Sequence, residues 1–421
     1  MSIVPTSAVR LLILCTPDAR AAMGHDAARR SLYSEKAGAS AGPAWEVLAA
    51  SAAGPAAHPW DLAHHFLDTQ EATLAAADLP YAEPDLLQQF LYRPDERAGL
   101  SGSGENVCDL HDPDGFWPPV DLGFAWHLDD DYSGLGSARR RVGAPAGPRV
   151  RVALLDTGFD PAHASLPRHL RPDLGRNFVD GDRPDDATDP GSFLPQVTNP
   201  GHGTATLALL AGGRVRPAFA PQFDDDLGGC PEAEVIPVRI ANSVVHFRTS
   251  EMAAGLEYAT EMGCAVVSLS MGGVPSQAWA DAVNRAYEAG VVICAAAGNN
   301  ISGYPVTSIV YPARFGRVIA ACGITADFAP YYQSGRHGRM QGNFGLDGKM
   351  GSAIAAFTPN TPWATMGCSA LIDRNGGGTS SAAPQVAAAA ALYLQHHRPA
   401  LGQWQTVEAV RNALFDSATR T

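Results

Sequence analysis

No stretch of this 421-residue chain stays apolar for the roughly 20 residues that a membrane-spanning helix needs. It also lacks an internal repeat, which excludes a solenoid or a propeller. Basic charge is scarce: 30 lysines and arginines face 43 aspartates and glutamates, and apart from Arg139-Arg140-Arg141 the arginines are scattered. That balance argues against nucleic acid as a partner, and the short triplet reads as part of a solvated linker. The seven cysteines (Cys15, Cys108, Cys230, Cys264, Cys294, Cys322 and Cys368) form an odd set without a Cys-x-x-Cys pair. Three of them sit inside apolar strand-like runs. They therefore read as small buried hydrophobes in a reducing compartment, not as a disulfide framework or a zinc site. At the amino terminus Arg10 precedes Leu11-Leu12-Ile13-Leu14, a run that Pro17 and Asp18 cut too short for a secretion signal. A cytoplasmic location is the resulting expectation. What the chain does have is apolar bulk, 46% of its residues, enough for one large domain or two with a sizeable core.

One stretch organises the rest. Gly376-Gly377-Gly378-Thr379-Ser380-Ser381-Ala382-Ala383-Pro384 runs into an alanine-rich tract. Glycines permit a turn that side chains would block, and the alanines form helix readily, so Ser380 sits where a loop becomes a helix. Unpaired N–H groups and the positive helix end point outward there, which suits a nucleophile with a developing oxyanion beside it. A serine after glycines is also a common helix cap. A nucleophile needs a base and an orienter. The chain offers Asp156, ending the apolar run Val150 to Leu155 before Thr157-Gly158, and His202 in Gly201-His202-Gly203-Thr204, at the entry to an apolar helix.

These three segments resemble the subtilisin-like serine protease family (subtilases, peptidase family S8), in which Asp-Thr/Ser-Gly, His-Gly-Thr and Gly-Thr-Ser-x-Ala-x-Pro follow in that chain order. Ala295-Ala296-Ala297-Gly298-Asn299 is similar to the family's oxyanion-hole loop, and Ser270-Met271-Gly272-Gly273 and Tyr311-Pro312-Ala313-Arg314 extend the match over roughly residues 120 to 421. The resemblance implies a serine endopeptidase acting through an acyl-enzyme. In it Ser380 attacks, His202 moves the proton, Asp156 orients the imidazole, and Asn299 with the Ser380 N–H stabilises the oxyanion. It implies a first specificity pocket lined by Ser270 to Gly273, by Ala297 and Gly298, and by Val310, where family members with roomy pockets carry glycine. Small or medium apolar residues are expected before the cleaved bond. Ser381 is a rival nucleophile, but residues one apart on a helix face different ways, and the motif counted from Pro384 selects Ser380.

The hydropathy pattern gives an independent reading of the fold. From residue 149 to 421, near-continuous apolar runs (Val150 to Leu155, Val235 to Ile240, Cys264 to Leu269, Val291 to Ala296, Val318 to Cys322) alternate with amphipathic stretches such as Ser250 to Met262 and Gln277 to Ala289. That is the signature of an α/β domain with a mostly parallel, doubly wound central sheet. Asp156, Ser270 and Asn299 fall just past strand ends, where such sheets place their sites. Residues 1–94 alternate short strand-like pieces with a polar, helix-like His25 to Lys36 and an amphipathic Pro59 to Leu74. They read as a small α+β domain like the family's prodomain, a self-processed inhibitor of its own enzyme. Residues 95–148 read as linker and entry segment, with loop-like Arg97 to Pro119 and Gly134 to Pro148.

Other readings weigh less. Asp156-Thr157-Gly158 also looks like an aspartic-protease signature, but the chain has no second copy to share the proton. Gly345 to Met350 has the wrong spacing for a phosphate loop. A catalytically silent scaffold would not retain every residue the chemistry needs. No cofactor is required. Calcium is conceivable at the acidic Asp180 to Asp186 and Asp224 to Asp226, yet Ser165 stands where many family members have an aspartate ligand, so metal stays unassigned.

Overall fold

The computed structural model describes residues 10–23, 29–32, 43–49, 58–71, 81–89, 108, 123–191, 199–244, 246–301, 308–335, 338–345, 347–397 and 402–419. Its centre is a seven-stranded, wholly parallel sheet. With the strands and helices discussed below numbered in chain order, its members are β6 (Arg151–Asp156), β7 (Arg176–Asn177), β8 (Glu234–Arg239), β10 (Val266–Leu269), β11 (Val292–Ala296), β12 (Ile319–Ile324) and β13 (Ala353–Phe357). They lie in the order β13-β12-β11-β10-β6-β8-β7. Apart from the two-residue β7, the strands are mainly apolar on both faces because helices cover both. Val152 and Leu154 of β6 pack on one side with the helices His202–Ala211 (α4) and Gly378–His397 (α7). Ala153 and Leu155, one residue out of phase, pack on the other with Thr249–Glu261 (α5) and Gln277–Glu288 (α6). The terminal helix Trp404–Ser417 (α8) contributes Val407 and Val410 to the first layer.

The amino-terminal segment is a four-stranded antiparallel sheet, β1 (Arg10–Cys15), β2 (Arg29–Ser31), β3 (Ala44–Ala49) and β4 (Tyr81–Pro84), in the order β2-β3-β1-β4. Two helices, Pro17–Ala22 (α1) and Pro59–Glu71 (α2), accompany it. Leu11 and Ile13 of β1 face a small core with Leu62 and Ala63 of α2. Leu12, with Trp45 and Val47 of β3, faces the core formed by α5 and α6. The sheet also covers the start of both helices. Glu83 accepts the N–H groups of Gln277 and Ala278, each at 3.0 Å, and Asp85 accepts the N–H and hydroxyl of Ser250, each at 2.9 Å. A further strand, β5 (Leu87–Gln89), pairs with β9 (His246–Arg248).

Four readings of the sequence change here. His25 to Lys36 holds the short strand β2 where it is described, because cross-strand pairing with β3 overrides its polar, helix-like composition. Gly134 to Pro148 contains the helix Leu135–Val142 (α3), whose Leu135 joins the main core. Within α3 Arg139 is buried. It donates to the carbonyls of Asp226 and Gly228 at 2.6 Å and pairs with Asp225 at 2.8 Å, so the basic triplet lies in a helix and not in a linker, with Arg140 and Arg141 exposed as expected and Arg139 not. Finally, Cys108 and Cys368 form a disulfide, and the argument from cysteines to a reducing compartment falls away. Cys15, Cys230, Cys264, Cys294 and Cys322 are buried as expected, with burial pushing the thiols of Cys230, Cys264 and Cys294 up to about 12. The expected linker Arg97 to Pro119 lies outside the described residues except for Cys108.

Candidate active site

β6 ends on Asp156 at the carboxyl edge of the sheet, and its carboxylate is surrounded by donors. Oδ1 accepts His202 Nδ1–H at 2.7 Å and the Thr157 N–H at 2.7 Å, while Oδ2 accepts the Thr206 hydroxyl at 2.9 Å. Since an ionised carboxylate only accepts, His202 must carry its proton on Nδ1, leaving Nε2 with a lone pair. That nitrogen is buried and has no hydrogen-bond partner among the described residues. His202 opens α4, and Thr206 stands one helical turn on, so both reach the same carboxylate from one face. The helix can come this close only because residue 203 is glycine: a Cβ there would lie 2.0 Å from the Gly158 carbonyl. The turn itself is fixed by Arg239, the buried last residue of β8, whose Nε donates to the Thr157 carbonyl at 3.1 Å.

Ser380 stands in the first turn of α7, half-buried, and Ser381 is buried with its hydroxyl donating to the Gly377 carbonyl at 3.0 Å. Ser381 is thus spent inside the helix. The Ser380 hydroxyl donates to the Ser270 carbonyl at 3.3 Å, and Ser270 Oγ returns a bond to the Ser380 carbonyl at 3.1 Å. Asn299, just past β11, accepts the Thr379 N–H on Oδ1 at 2.8 Å. An N–H can meet only an acceptor, so this bond fixes the amide orientation and leaves Nδ2 free to donate elsewhere. Residue 378 must be glycine for this approach, because φ is +73° there and a Cβ would lie 2.9 Å from Asn299 Nδ2.

The expected pocket walls also converge. Gly273 and Tyr311 exchange backbone hydrogen bonds, and the Val310 N–H donates to the Ala297 carbonyl at 3.0 Å. The Val310 side chain lies between the two glycine strands: a Cβ on Gly272 would meet Val310 Cγ2 at 2.5 Å, and one on Gly298 would meet Val310 Cγ1 at 2.9 Å. Met271 and Ala297 turn their side chains into the core, so only their backbones border this space.

The acidic loops are held by arginines. Asp180 pairs with Arg183 and Arg239, Asp185 with Arg176, Asp224 with Arg214 and Arg216, and Asp226 with Arg168. Ser165 bonds His163 at 2.8 Å. Among the described residues no group of three or more histidine, cysteine, aspartate or glutamate side chains is placed to hold a metal ion. The sequence reading missed Thr206, which its spacing from His202 could have disclosed, and Trp363, which packs on His202.

The chain is 31% identical over 175 residues to subtilisin DY of Bacillus licheniformis (41% of this chain, 56% of that protein). It is 34% identical over 192 residues to subtilisin Savinase of Lederbergia lenta (43% and 60%). It is 32% identical over 243 residues to the cell wall-associated protease of Bacillus subtilis strain 168 (53% and 24%). Each match spans less than two thirds of the relative's own length. The profile of the subtilase family, peptidase S8, matches residues 147–421, and the chain belongs to that family.

Proposed function

We propose that this chain is a serine endopeptidase that cleaves peptide bonds through an acyl-enzyme. Ser380 attacks the carbonyl, His202 accepts its proton and returns it to the leaving amine, and Asp156 holds the imidazole and balances its cation. Asn299 Nδ2 and the Ser380 N–H receive the oxyanion. The observation that carries this reading is the Asp156–His202 pair, with both oxygens of the buried carboxylate accepting hydrogen bonds and Nε2 left without a partner among the described residues. The Ser380 hydroxyl has to turn from the Ser270 carbonyl toward Nε2, an alignment that substrate binding commonly completes. A fluorophosphonate, which phosphonylates an activated serine, tests it. Peptide mapping should find the label on Ser380 alone, and Ser380→Ala should take none and hydrolyse nothing. A label on Ser381, or hydrolysis by the alanine variant, would sink the assignment.

The amino-terminal segment fits a self-processed intramolecular inhibitor. Gln88 supports this, because its side chain accepts the Val274 N–H at 2.9 Å and crowds Gly273, which belongs to the expected pocket wall. A segment that reaches this edge of the cleft as an added strand resembles a bound peptide.

A further inference from the structure

His202 is covered by a side chain that belongs to none of the motifs. Trp363 stands on β14 (Thr361–Ala364), and its ring meets the His202 imidazole in a T-shaped contact, with centroids 5.6 Å apart and planes at 72°. The same indole lies across Gly376, where a Cβ would sit 3.0 Å from Trp363 Cε3. Gly376 ends β15 (Ile372–Gly376), the strand that leads directly into α7 and Ser380. One rigid, flat side chain therefore touches the imidazole and also the strand that delivers the serine. The β14–β15 hairpin is itself tied to the loop that follows Asp156. The Gly367 N–H donates to Asp160 Oδ2 at 2.9 Å, the Ala164 N–H to the Ser369 carbonyl at 2.6 Å, and His163 Nε2 lies 3.0 Å from the Leu371 carbonyl.

The bond from His202 Nδ1 to Asp156 restrains one end of the ring but does not stop it swinging on its own side-chain torsions. A nitrogen that must reach a hydroxyl at hydrogen-bond distance loses rate steeply when it is misplaced by a fraction of its reach. We propose that Trp363 is a positioning residue: its indole keeps the His202 imidazole in register with Asp156 on one side and with the Ser380 hydroxyl on the other. This inference rests on the assignment of Ser380 and His202 above.

The test compares the full chain with Trp363→Phe and Trp363→Ala, reading the rate of fluorophosphonate labelling at Ser380 together with kcat and KM on a peptide substrate. Trp363→Ala should be labelled, and turn over, about ten- to a hundred-fold more slowly with KM nearly unchanged. Trp363→Phe, which keeps a ring over Gly376, should recover most of the rate. Labelling of the alanine variant at the parent rate would overturn the inference. So would a rise in KM with kcat retained, since that would make Trp363 a wall that binds ground state and transition state alike. Should the alanine variant lose its cooperative thermal transition, Trp363→Leu answers the same question: slower labelling supports the inference and the parent rate overturns it. A parent chain that takes no label overturns the triad reading and this one with it; a labelled parent with unaffected variants overturns this one alone.

Discussion

We propose that Val310 sets the preference for the residue before the cut bond. Its two methyls reach toward Gly272 and Gly298, the very positions where the pocket walls have no side chains of their own. Val310→Gly should deepen the pocket, so a cleavage map on a peptide library should shift from Ala, Val and Leu toward larger residues before the cut bond. A parent map already dominated by Arg, Lys or aromatics would contradict the role. For Asn299→Ala, whose free amide is the proposed oxyanion donor, a fall in kcat of about 100- to 1,000-fold is expected, the range known for this donor in subtilisin itself. Glu251 carries a pH signature. It accepts the Arg248 N–H at 2.6 Å, and burial, reinforced by the nearby Asp85, pushes its carboxyl up to about 7 from an ordinary 4.5. The native chain thus holds this proton more tightly than the unfolded one. Its contribution is complete below pH 4.5 and is lost as the pH rises toward 7. Glu251→Gln should flatten the fall in Tm across that window, which thermal melts in a buffer series would read, and identical slopes would refute it. Residues of this kind were legible in unequal degree. Asp156 stands where an apolar run gives way to glycine, and His202 and Ser380 where glycines give way to an apolar helix, changes visible along the chain. Trp363 meets its partner across 161 positions of sequence, and no local pattern encodes that.

Among elements, the two helices beneath the amino-terminal sheet are the most instructive. An α-helix leaves its first N–H groups without internal partners, and here carboxylates from another part of the chain supply them. Glu83 serves α6 and Asp85 serves α5, with Arg10 at 2.9 Å balancing Asp85. Glu83→Ala should destabilise the full chain by about 1 to 2 kcal/mol, the cost of losing a buried helix cap. Urea unfolding would show it, unless water takes over both bonds and the midpoint stays put. Burial raises the Glu83 carboxyl, the penalty the two N–H bonds work against. The sequence announced β6, β8, β10, β11 and β12 of the main sheet well, because each is an apolar run buried on both faces, and it announced α5 and α6 within a residue at their ends; the two-residue, polar β7 carried no such signal. It failed at β2 and α3, short elements whose conformation is decided by what they pack against and not by their own composition.

At the scale of the whole molecule, the parallel sheet joins strands that are distant along the chain, so its closure is slow and a docked template would favour it. The amino-terminal sheet, seated on α5 and α6, is suited to that work. Wild-type protein should acquire a break between the two regions that Ser380→Ala lacks. A fully active wild type that remains intact would leave the segment needing another role. The bond between Cys108 and Cys368, 260 positions apart, gives the location of such a break an unexpected weight. If the peptide bond opens on the amino side of Cys108, the four-stranded sheet is held by non-covalent contacts alone and can diffuse away. If it opens on the carboxyl side, the product is a branched polypeptide, its amino-terminal segment still moored through sulfur to the hairpin that bears Trp363, and only a reductant can finish the separation. Electrophoresis with and without thiol distinguishes the two products, and in the second case the redox state of its surroundings would decide when the enzyme is released.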